Sequence, residues 1–408
     1  MPRQEGARTD GVIRQYERWR YPFPLEDLTA WSRHNWEWFD PRDVHRVLWP
    51  DREYVPDLDI LIAGCGTNQA AVFAYTNPAA RVVALDVSGP SLDHQQYLKD
   101  RHGLTNLTLH QLPVEDAPTL GLSFDLVVST GVLHHLADPA AGLRALAACA
   151  RPSAAIGLMV YGRYGRLGVD MLASVFEDLG LGQDDASVAL VREALSLLPP
   201  SHPVHAYLAL AKDWGSDAAL VDTFLHARQR SYTVDDCLSL VASAGLVFQT
   251  WLLNAPYHLH NLSASPSPMS SAVERLPDAA QWSVMERLYP TNACHFLVAC
   301  RPERPPASYV IDFESDAFRG YVPHLRARCG LSGATLFRSD WSMTLTPFQL
   351  AIVERVDGSR TIREIAASAA GSEPFVRAGA DECEAFAREL FRALWRLDLL
   401  AMGLGRSR

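Results

Sequence analysis

The chain has 408 residues, a formal net charge of −10, and 48% hydrophobic and 21% charged residues, which predicts an ordinary soluble protein of two or three domains. The negative charge argues against a nucleic-acid backbone as the principal partner, and no uncharged run approaches the ~20 residues that span a bilayer. Seven cysteines without a paired Cys-x-x-Cys motif argue against a disulfide framework or a zinc site and favour a reducing, cytoplasmic location.

Residues 1–50 are rich in aromatic side chains and predict an N-terminal helical lid. The opening MPRQEGARTDG has no apolar core, so we expect no signal peptide. The segment RQYERWRYPFP interleaves arginines with rings. Two interpretations stay open and can hold together: a helical pair whose rings pack on the following sheet, or a cover over a bound ligand.

A strand, a glycine turn and a helix follow. The run LDILIA reads as a buried parallel strand, breaks at Gly64-Cys65-Gly66, and passes into the helical AAVFAY. Two glycines at this joint let the backbone turn sharply and approach a ligand closely beside a helix N-terminus. A lone glycine-rich turn would be weak evidence for a binding site.

The next strand strengthens the case because it ends in an acid. The apolar VVAL leads to Asp86, about twenty residues after the turn, where a carboxylate can accept hydrogen bonds from both hydroxyls of a ribose. Strand, turn, helix, strand and terminal acid in this order predict a nucleoside-binding site.

The details of the turn indicate which nucleoside is bound. Gln69 is not a glycine, so the turn departs from the dinucleotide pattern GxGxxG and is closer to GxGxG with Asn68 in the last position. With LHQLPVED and FDLVVSTGVLHHL further on, residues 57–163 resemble the class I S-adenosylmethionine-dependent methyltransferases, and the likeness continues more weakly to residue 301. Asn tolerates positive φ, so the turn should be retained. An NAD enzyme or an unliganded doubly wound domain is the alternative.

The resemblance implies S-adenosyl-L-methionine as the cofactor, and with it a set of binding residues. It assigns the glycine turn to backbone approach, Asp86 to the ribose, residues 113–115 to the adenine and residues 130–131 to the surroundings of the sulfonium. The expected cofactor residues are Gly64, Gly66, Asn68, Gln69, Asp86, Val114, Glu115, Thr130 and Gly131.

The fold expected is α/β, a doubly wound, seven-stranded, Rossmann-like sheet within residues 51–301. Alternating strands and helices predict parallel strands at 58–63, 81–86, 106–111, 124–129 and 154–161. By resemblance, a helix at 233–244, a sixth strand at 246–252 and an antiparallel seventh at 295–301 complete it. Insertions at 162–232, largely helical, and at 254–292 leave from the carboxyl edge, where an acceptor pocket is expected.

The acceptor side of the site is predicted from position alone. The end of strand five, MVYGRYGRLGVDML, brings Tyr161, Arg163, Tyr164 and Arg166 to the active edge, and FLHARQRSY precedes the last helix. We expect five residues to carry acceptor binding and catalysis: His226, Tyr161, Arg163, Tyr164 and Tyr232. A histidine has a pKa suited to general-base work, so His226 is the predicted base. No metal site is expected.

Residues 302–308 read as a proline-rich linker before a C-terminal domain at 309–408. A helix, an Asp-Gly turn, a second helix and a longer third helix loosely resemble a winged-helix module like the PqqD-type domains of peptide-modifying enzymes. This suggests a bacterial group of methyltransferases with a C-terminal regulatory or interaction domain. The positive and negative side chains of this domain offset each other, which disfavours DNA binding.

Three functions remain open at this level. The first is a methyltransferase for a small-molecule acceptor, favoured because insertions over the site suit an enclosed pocket. The second is a protein or peptide methyltransferase steered by the C-terminal domain, and the third a non-catalytic cofactor-binding regulator. The expected partner is a small molecule or peptide, without nucleic acid or membrane, and a homo-oligomer is an option.

Overall fold

A seven-stranded sheet forms the centre of the first of two compact units. The computed structural model describes residues 11–210, 215–259 and 267–405. The strand order is β3-β2-β1-β4-β5-β7-β6, and the bounds are Asp59–Ala63 (β1), Arg81–Asp86 (β2), Leu107–Gln111 (β3), Phe124–Thr130 (β4), Ala150–Tyr161 (β5), Val247–Trp251 (β6) and Cys294–Cys300 (β7). Strands β1 to β5 are parallel and β7 is antiparallel to β5. The predicted fold is confirmed.

Helices precede, separate and follow these strands along the chain. In chain order they are Gly11–Arg18 (α1), Leu28–Ser32 (α2), Pro41–Leu48 (α3), Gln69–Thr76 (α4), Gly89–His102 (α5), Pro139–Ala148 (α6), Leu167–Asp178 (α7), Asp185–Leu197 (α8), Val204–Leu210 (α9), Asp217–Phe224 (α10), Val234–Ser243 (α11), Pro268–Glu274 (α12) and Asp278–Leu288 (α13). Short 3₁₀ turns at Val114–Leu120 and Leu133–His135 follow β3 and β4. Helices α7 to α10 make the first insertion largely helical, as predicted.

The strands of the sheet centre are continuous apolar runs because both faces are covered. Residues 60–63 of β1 and 82–86 of β2 are buried, and Ile60 pairs with Val82 on one side and Leu126 on the other. Parallel strands end at the same edge of a sheet, so the residues that follow β1, β2, β4 and β5 come together. Strand β5 starts four residues earlier than predicted, with a register shift opposite β4.

The compact units do not follow the linear boundaries predicted from the sequence. The sheet unit contains residues 1–38, 56–248 and 282–303, whereas 39–55 and 249–281 group with 304–408. Much of the predicted 254–292 insertion therefore belongs to the second unit. The predicted linker is packed: Arg304 is 3% exposed and donates to the Leu48 carbonyl and to Gln249 Oε1.

The second unit contains two small sheets and three further helices. Strands Gly330–Ser332 (β9), Thr335–Arg338 (β10) and Trp341–Thr344 (β11) are antiparallel, and Val322–Leu325 (β8) pairs with Leu400–Gly403 (β12). Helices Pro347–Val353 (α14), Ile362–Ala369 (α15) and Ala380–Arg396 (α16) follow the predicted pattern. Capping boxes at Thr346 and Thr361 begin α14 and α15. The winged-helix similarity of this unit stays a prediction.

Within the described residues, no helix is both long and apolar enough to cross a membrane.

Candidate active site

The glycine turn after β1 is held against the acid that ends β2. Gly64 and Gly66 adopt φ of 76° and 52°, and a Cβ on Gly64 would lie 2.3 Å from Val132 Cγ2, so this position requires glycine. The Gly66 N–H donates to Asp86 Oδ2 and the Ser88 N–H to Oδ1, both at 2.8 Å. The turn and the acid therefore form one rigid structure.

Asp86 meets the requirements of a ribose-binding carboxylate. Burial raises its pKa, opposed by the N–H groups of Ser88 and Gly66, and the part of the chain that the structure describes pairs it with no arginine or lysine. Each carboxylate oxygen has a second lone pair beyond the backbone bond it accepts. Neutral hydroxyl donors fit these lone pairs, so the residues present fit a nucleoside cofactor.

An N-terminal segment lies directly on the glycine turn, and we call residues 16–25 the strap. Thr67 Oγ1 donates to the Pro22 carbonyl at 2.8 Å. Asn68 donates to the Phe23 carbonyl and accepts from the Leu25 N–H, both at 2.8 Å. Asn68, predicted to contact the cofactor, thus uses both ends of its amide to hold the strap.

A second polar chain links the turn to the end of β4. Thr130 Oγ1 donates to Gln69 Oε1 at 2.9 Å, and Gln69 Nε2 donates to Glu37 Oε1 at 3.2 Å. Of the residues predicted at the adenine, Val114 is buried at the start of a 3₁₀ turn, whereas Glu115 is exposed. Gly131 has φ of 74°.

Six side chains form a cluster beyond the ends of β4 and β5, which we call the His–Tyr cluster. Four are buried (His134, His135, Tyr161 and Asp222) and two are half-buried (Tyr16 and His226). Asp222 is its centre, since its Oδ1 accepts from the Tyr16 hydroxyl at 2.9 Å and its Oδ2 from the Tyr161 hydroxyl at 3.4 Å. Burial and Asp222 raise the pKa of both tyrosines well above 10. The hydroxyls therefore keep their protons at neutral pH.

His226 is neutral, and contacts hold both of its ring nitrogens. Its Nδ1 accepts the Arg228 N–H at 3.0 Å, so Nε2 carries the proton and lies 3.4 Å from the Tyr16 oxygen. Burial, with His135 adding to it, lowers the pKa of His226 to about 2. A group with this pKa and no open lone pair is a weak base.

His135, Asp222 and His226 bring potential metal-ligand atoms within 4.8 Å of one another. The imidazole rings of the two histidines are stacked, with centroids 3.7 Å apart and planes inclined by 18°. A metal ion bonded in the plane of one ring would lie well outside the plane of the other. The His135 Nδ1 also bonds the Arg228 carbonyl at 2.8 Å. This arrangement suits hydrogen bonding better than metal coordination.

The other acceptor residues predicted from the sequence lie apart from the cluster. Arg163 is exposed and pairs with Asp236 at 3.2 Å. Tyr232 is buried, and its backbone carbonyl accepts a hydrogen bond from the Arg163 N–H. Tyr164 is half-buried. Arg163 points to the surface because the chain turns after β5. Of the five, the structure brings Tyr161 and His226 together.

Four cluster members were not among the predicted site residues: His134 and His135, which lie within the motif FDLVVSTGVLHHL, and Tyr16 and Asp222. Tyr16 and Asp222 are 206 positions apart, and Asp222 is one acid within an ordinary helical stretch. The sequence offers no spacing signal that could have joined them.

A cleft of about 700 Å³ opens beside the cluster. It lies between α7 and the chain following α10, lined by residues 224–229 and 231 together with Asp170, Phe176, Glu177 and Gln183. His226 belongs both to its wall and to the cluster. The predicted 162–232 insertion supplies all of these residues.

The sheet order with an antiparallel β7, the glycine turn and the buried acid at β2 together define an S-adenosylmethionine-binding methyltransferase fold. Residues 61–156 match a family model described as a methyltransferase domain. The structure of PKMT2 from Rickettsia typhi in complex with AdoHcy superposes with a TM-score of 0.60 at 14% identity, covering 86% of this chain and 72% of that one.

Three sequence relatives are similar to parts of the chain. An uncharacterised protein of Synechococcus sp. is 26% identical, over 68% of each chain. The tRNA 5-carboxymethoxyuridine methyltransferase of Escherichia coli is 27% identical over 40% of this chain and 64% of its own length. The tRNA U34 carboxymethyltransferase of Desulfotalea psychrophila is 29% identical over 39% of this chain and 48% of its own length. Residues 61–156 therefore form a methyltransferase domain on the fold of the class I enzymes, and the chain is an S-adenosylmethionine-dependent methyltransferase with S-adenosylmethionine as its cofactor.

Proposed function

We propose that this enzyme transfers the methyl group of S-adenosylmethionine to a small organic acceptor bound in the cleft beside α7. The observation that carries the proposal is the double position of His226, which lines the cleft and stacks within the His–Tyr cluster. The cleft thereby connects solvent with buried polar groups at the carboxyl edge of the sheet, where this fold presents its ligands.

The residues of the glycine turn and Asp86 would hold the cofactor, with Thr130 and Gly131 beside its reactive end. When bound, S-adenosylmethionine supplies a methyl group on a positively charged sulfur, ready for in-line displacement. The protein's task is alignment and, where the acceptor is protonated, removal of a proton.

We assign proton acceptance to Asp222 and a positioning role to His226. Asp222 receives both tyrosine hydroxyl bonds of the cluster, whereas His226 has a bonded Nδ1 and a very low pKa. The Tyr16 hydroxyl donates to Asp222 and lies 3.4 Å from Nε2 of His226, which lines the cleft, so it offers a path for the proton to the carboxylate. This assignment differs from the sequence-based choice of His226 as base.

A macromolecular acceptor receives less support. The tRNA-modifying relatives match about 40% of this chain, and a net charge of −10 opposes the approach of a polyanion. The cleft also carries Asp170 and Glu177 in its wall. A small acceptor with few charges suits this lining best.

Methyl-labelled cofactor tests the proposal. The enzyme is incubated with labelled S-adenosylmethionine and a lysate of the source organism separated into small molecules, proteins and tRNA. Label in the small-molecule fraction supports the proposal, and label confined to protein or tRNA contradicts it. At a cofactor concentration below the wild-type Kd, Asp86→Ala should lower the label at least tenfold, whereas Asp93→Ala, an exposed acid of α5, should retain it.

A further inference from the structure

A line of exposed apolar side chains runs along α7. We call it the α7 ridge, and its members are Leu167, Met171, Val175 and, directly after the helix, Leu179. They are 50%, 46%, 47% and 66% exposed, respectively. Residues spaced by four lie above one another on a helix, so the four side chains form one continuous ridge.

The first insertion as a whole is rich in such residues. Seven of the twenty large apolar side chains that are exposed in the described part of the chain lie between residues 167 and 210. The core of the insertion does not use the ridge, because α7 contributes Val169, Leu172 and Phe176 to it instead. A contiguous exposed apolar surface of this kind marks an interaction site.

The ligand of the cleft does not cover the ridge. Asp170, Ser174 and Glu177 line the cleft, and their spacing of four and three residues places them on one face of α7. None of the four ridge residues belongs to the cleft wall. The ridge occupies the adjacent face of the helix, so a small acceptor in the cleft leaves it exposed.

The two ends of the ridge carry opposite charges. Asp178 lies in the last turn of α7, where the partial negative charge of the helix end disfavours an acid. It is exposed and has no ion pair among the described residues. At the other end, the first turn of α7 is partially positive. Arg163 precedes it with a side chain that is 52% exposed, and beyond its pair with Asp236 at 3.2 Å it has further N–H donors.

We propose that the α7 ridge is the interface of a homodimer, in which two copies of α7 pack antiparallel across a two-fold axis. Leu167 of one copy then lies against Leu179 of the other, and Met171 lies against Val175 near the axis, so every ridge residue is covered. The dimer forms irrespective of the acceptor that the enzyme methylates.

The charges at the ends of the ridge favour a second copy in this orientation. Antiparallel packing places Asp178 beside the positive first turn of the other α7 and within reach of its Arg163. A parallel pair would bring the two acids together. An anionic membrane surface is also disfavoured, because Asp178 and the neighbouring Glu177 would approach its headgroups.

Analytical ultracentrifugation of the full-length enzyme at micromolar concentrations tests the dimer. We expect a species of twice the mass of one chain. Met171→Glu and Val175→Glu should each raise its dissociation constant by roughly tenfold or more, because each places an unpaired charge in an apolar interface. Val376→Glu, at a position 54% exposed in the second unit, should leave the constant unchanged. Circular dichroism should show the wild-type fold in all three variants, since the three positions are exposed.

A charge exchange tests the antiparallel orientation. Asp178→Arg and Arg163→Glu should each weaken the dimer by bringing like charges together, and the double variant should recover most of the lost affinity. A wild-type enzyme that is monomeric at every concentration overturns the proposal, whether it stays in solution or sediments with phosphatidylcholine vesicles. A dimer that is unaffected by Met171→Glu and Val175→Glu also overturns it, as does a double variant that associates no more tightly than the single ones.

Discussion

Asp86 shows how a single side chain joins the sequence motif to the geometry of the site. It ends β2, fixes the glycine turn through the Gly66 N–H and begins α5 through the Ser88 N–H. Its raised pKa reflects burial without a cation. A carboxylate in this position is stabilised further only by a ligand that donates hydrogen bonds.

Asp86→Ala should therefore weaken binding of S-adenosylhomocysteine. The loss of charge-assisted hydrogen bonds predicts a reduction of about 1–3 kcal/mol in binding free energy, roughly a tenfold to hundredfold rise in Kd. Calorimetry measures this, with Asp93→Ala as the matched control on the exposed side of α5. Equal affinities of the two variants would remove Asp86 from the site.

The roles proposed for Asp222 and His226 predict that mutating the two residues will have different effects on the rate. If Asp222 accepts the proton, Asp222→Asn should lower kcat by about 10²–10⁴, whereas His226→Asn should lower it much less. The pKa of His226 is about 2, so its titration should leave no trace in the rate between pH 6 and 9. Steady-state rates across this range decide the question. A large loss in His226→Asn with a changed pH profile would restore His226 as the base.

Glu286 and His295 form a buried pair, and the titrations of the two groups have opposite effects on the stability of the protein. Burial raises the pKa of Glu286 to about 7 and lowers that of His295 to about 4, and the two groups lie 3.8 Å apart. A raised carboxyl pKa costs stability as the pH rises from about 4.5 to 7. A lowered imidazole pKa adds stability as the pH rises from about 4 to 6.5.

Glu286→Gln should remove the cost of ionising this buried carboxyl. Relative to wild type, the variant should gain about 3 kcal/mol of stability between pH 4.5 and 7, an order-of-magnitude figure from the rise in the pKa of Glu286 to about 7. Thermal unfolding of wild type and variant at several pH values measures the difference. The same pH dependence in both proteins would contradict the opposed-titration account.

At the scale of elements, the hydrophobic periodicity of the sequence did not reveal that the strap contacts the glycine turn. Its backbone bonds the side chains of Thr67 and Asn68, and the Tyr16 carbonyl lies 3.4 Å from Ser88 Oγ. In the adjoining helix α1, the Gln15 side chain accepts from the Ala227 N–H. One short stretch of chain thus contacts the glycine turn, the end of β2 and the first insertion.

Asn68→Ala should loosen the strap without unfolding the sheet. It removes two hydrogen bonds, each contributing about 1 kcal/mol, so tryptic cleavage at Arg18 and Arg20 should be roughly thirty times faster. Limited proteolysis with peptide mapping measures this, and S-adenosylhomocysteine should slow it. Thr29→Ala, at an exposed bond to Tyr75, is the control. Unchanged cleavage in Asn68→Ala would show that these bonds do not hold the strap.

The elements were largely predictable, and the site only in part. Apolar runs, the glycine turn and the acid at residue 86 are local signals, so β1 to β5 were placed within a few residues. The His–Tyr cluster depends on contacts between residues 206 positions apart, which no spacing records. Arg163 and Arg166 looked equivalent in sequence. Only packing showed that one reaches solvent while the other is buried.

For the whole molecule, the compact units are not consecutive stretches of the chain, unlike the domains predicted from the sequence. The second unit is assembled from three separate stretches. Within it, Asp398 accepts from the N–H groups of Asn254 and Ala255 and pairs with Arg326. Cutting the chain near residue 302 would strip residues 249–281 of these partners. Deletion is therefore a poor test of what the C-terminal residues do.

Arg326→Met should destabilise the second unit severely while leaving its surface unchanged. It leaves the Asp398 carboxylate, 5% exposed, with a buried charge that has lost its closest cation, a loss of about 3–5 kcal/mol. Arg377→Met, at an exposed position, should cost less than about 0.5 kcal/mol. Thermal unfolding monitored by circular dichroism compares them. Similar midpoints would mean that the pair is dispensable.

The strap also has a kinetic consequence. Because the segment that covers the glycine turn supplies Tyr16 to the proposed catalytic carboxylate, departure of spent cofactor and disassembly of the proton path are a single event. Such coupling imposes a compulsory sequence on turnover: the cofactor enters first and its demethylated product leaves last. In initial-rate measurements, S-adenosylhomocysteine should then be a competitive inhibitor with respect to S-adenosylmethionine and not with respect to the acceptor. The exchange of S-adenosylhomocysteine for S-adenosylmethionine should be the rate-limiting step of turnover.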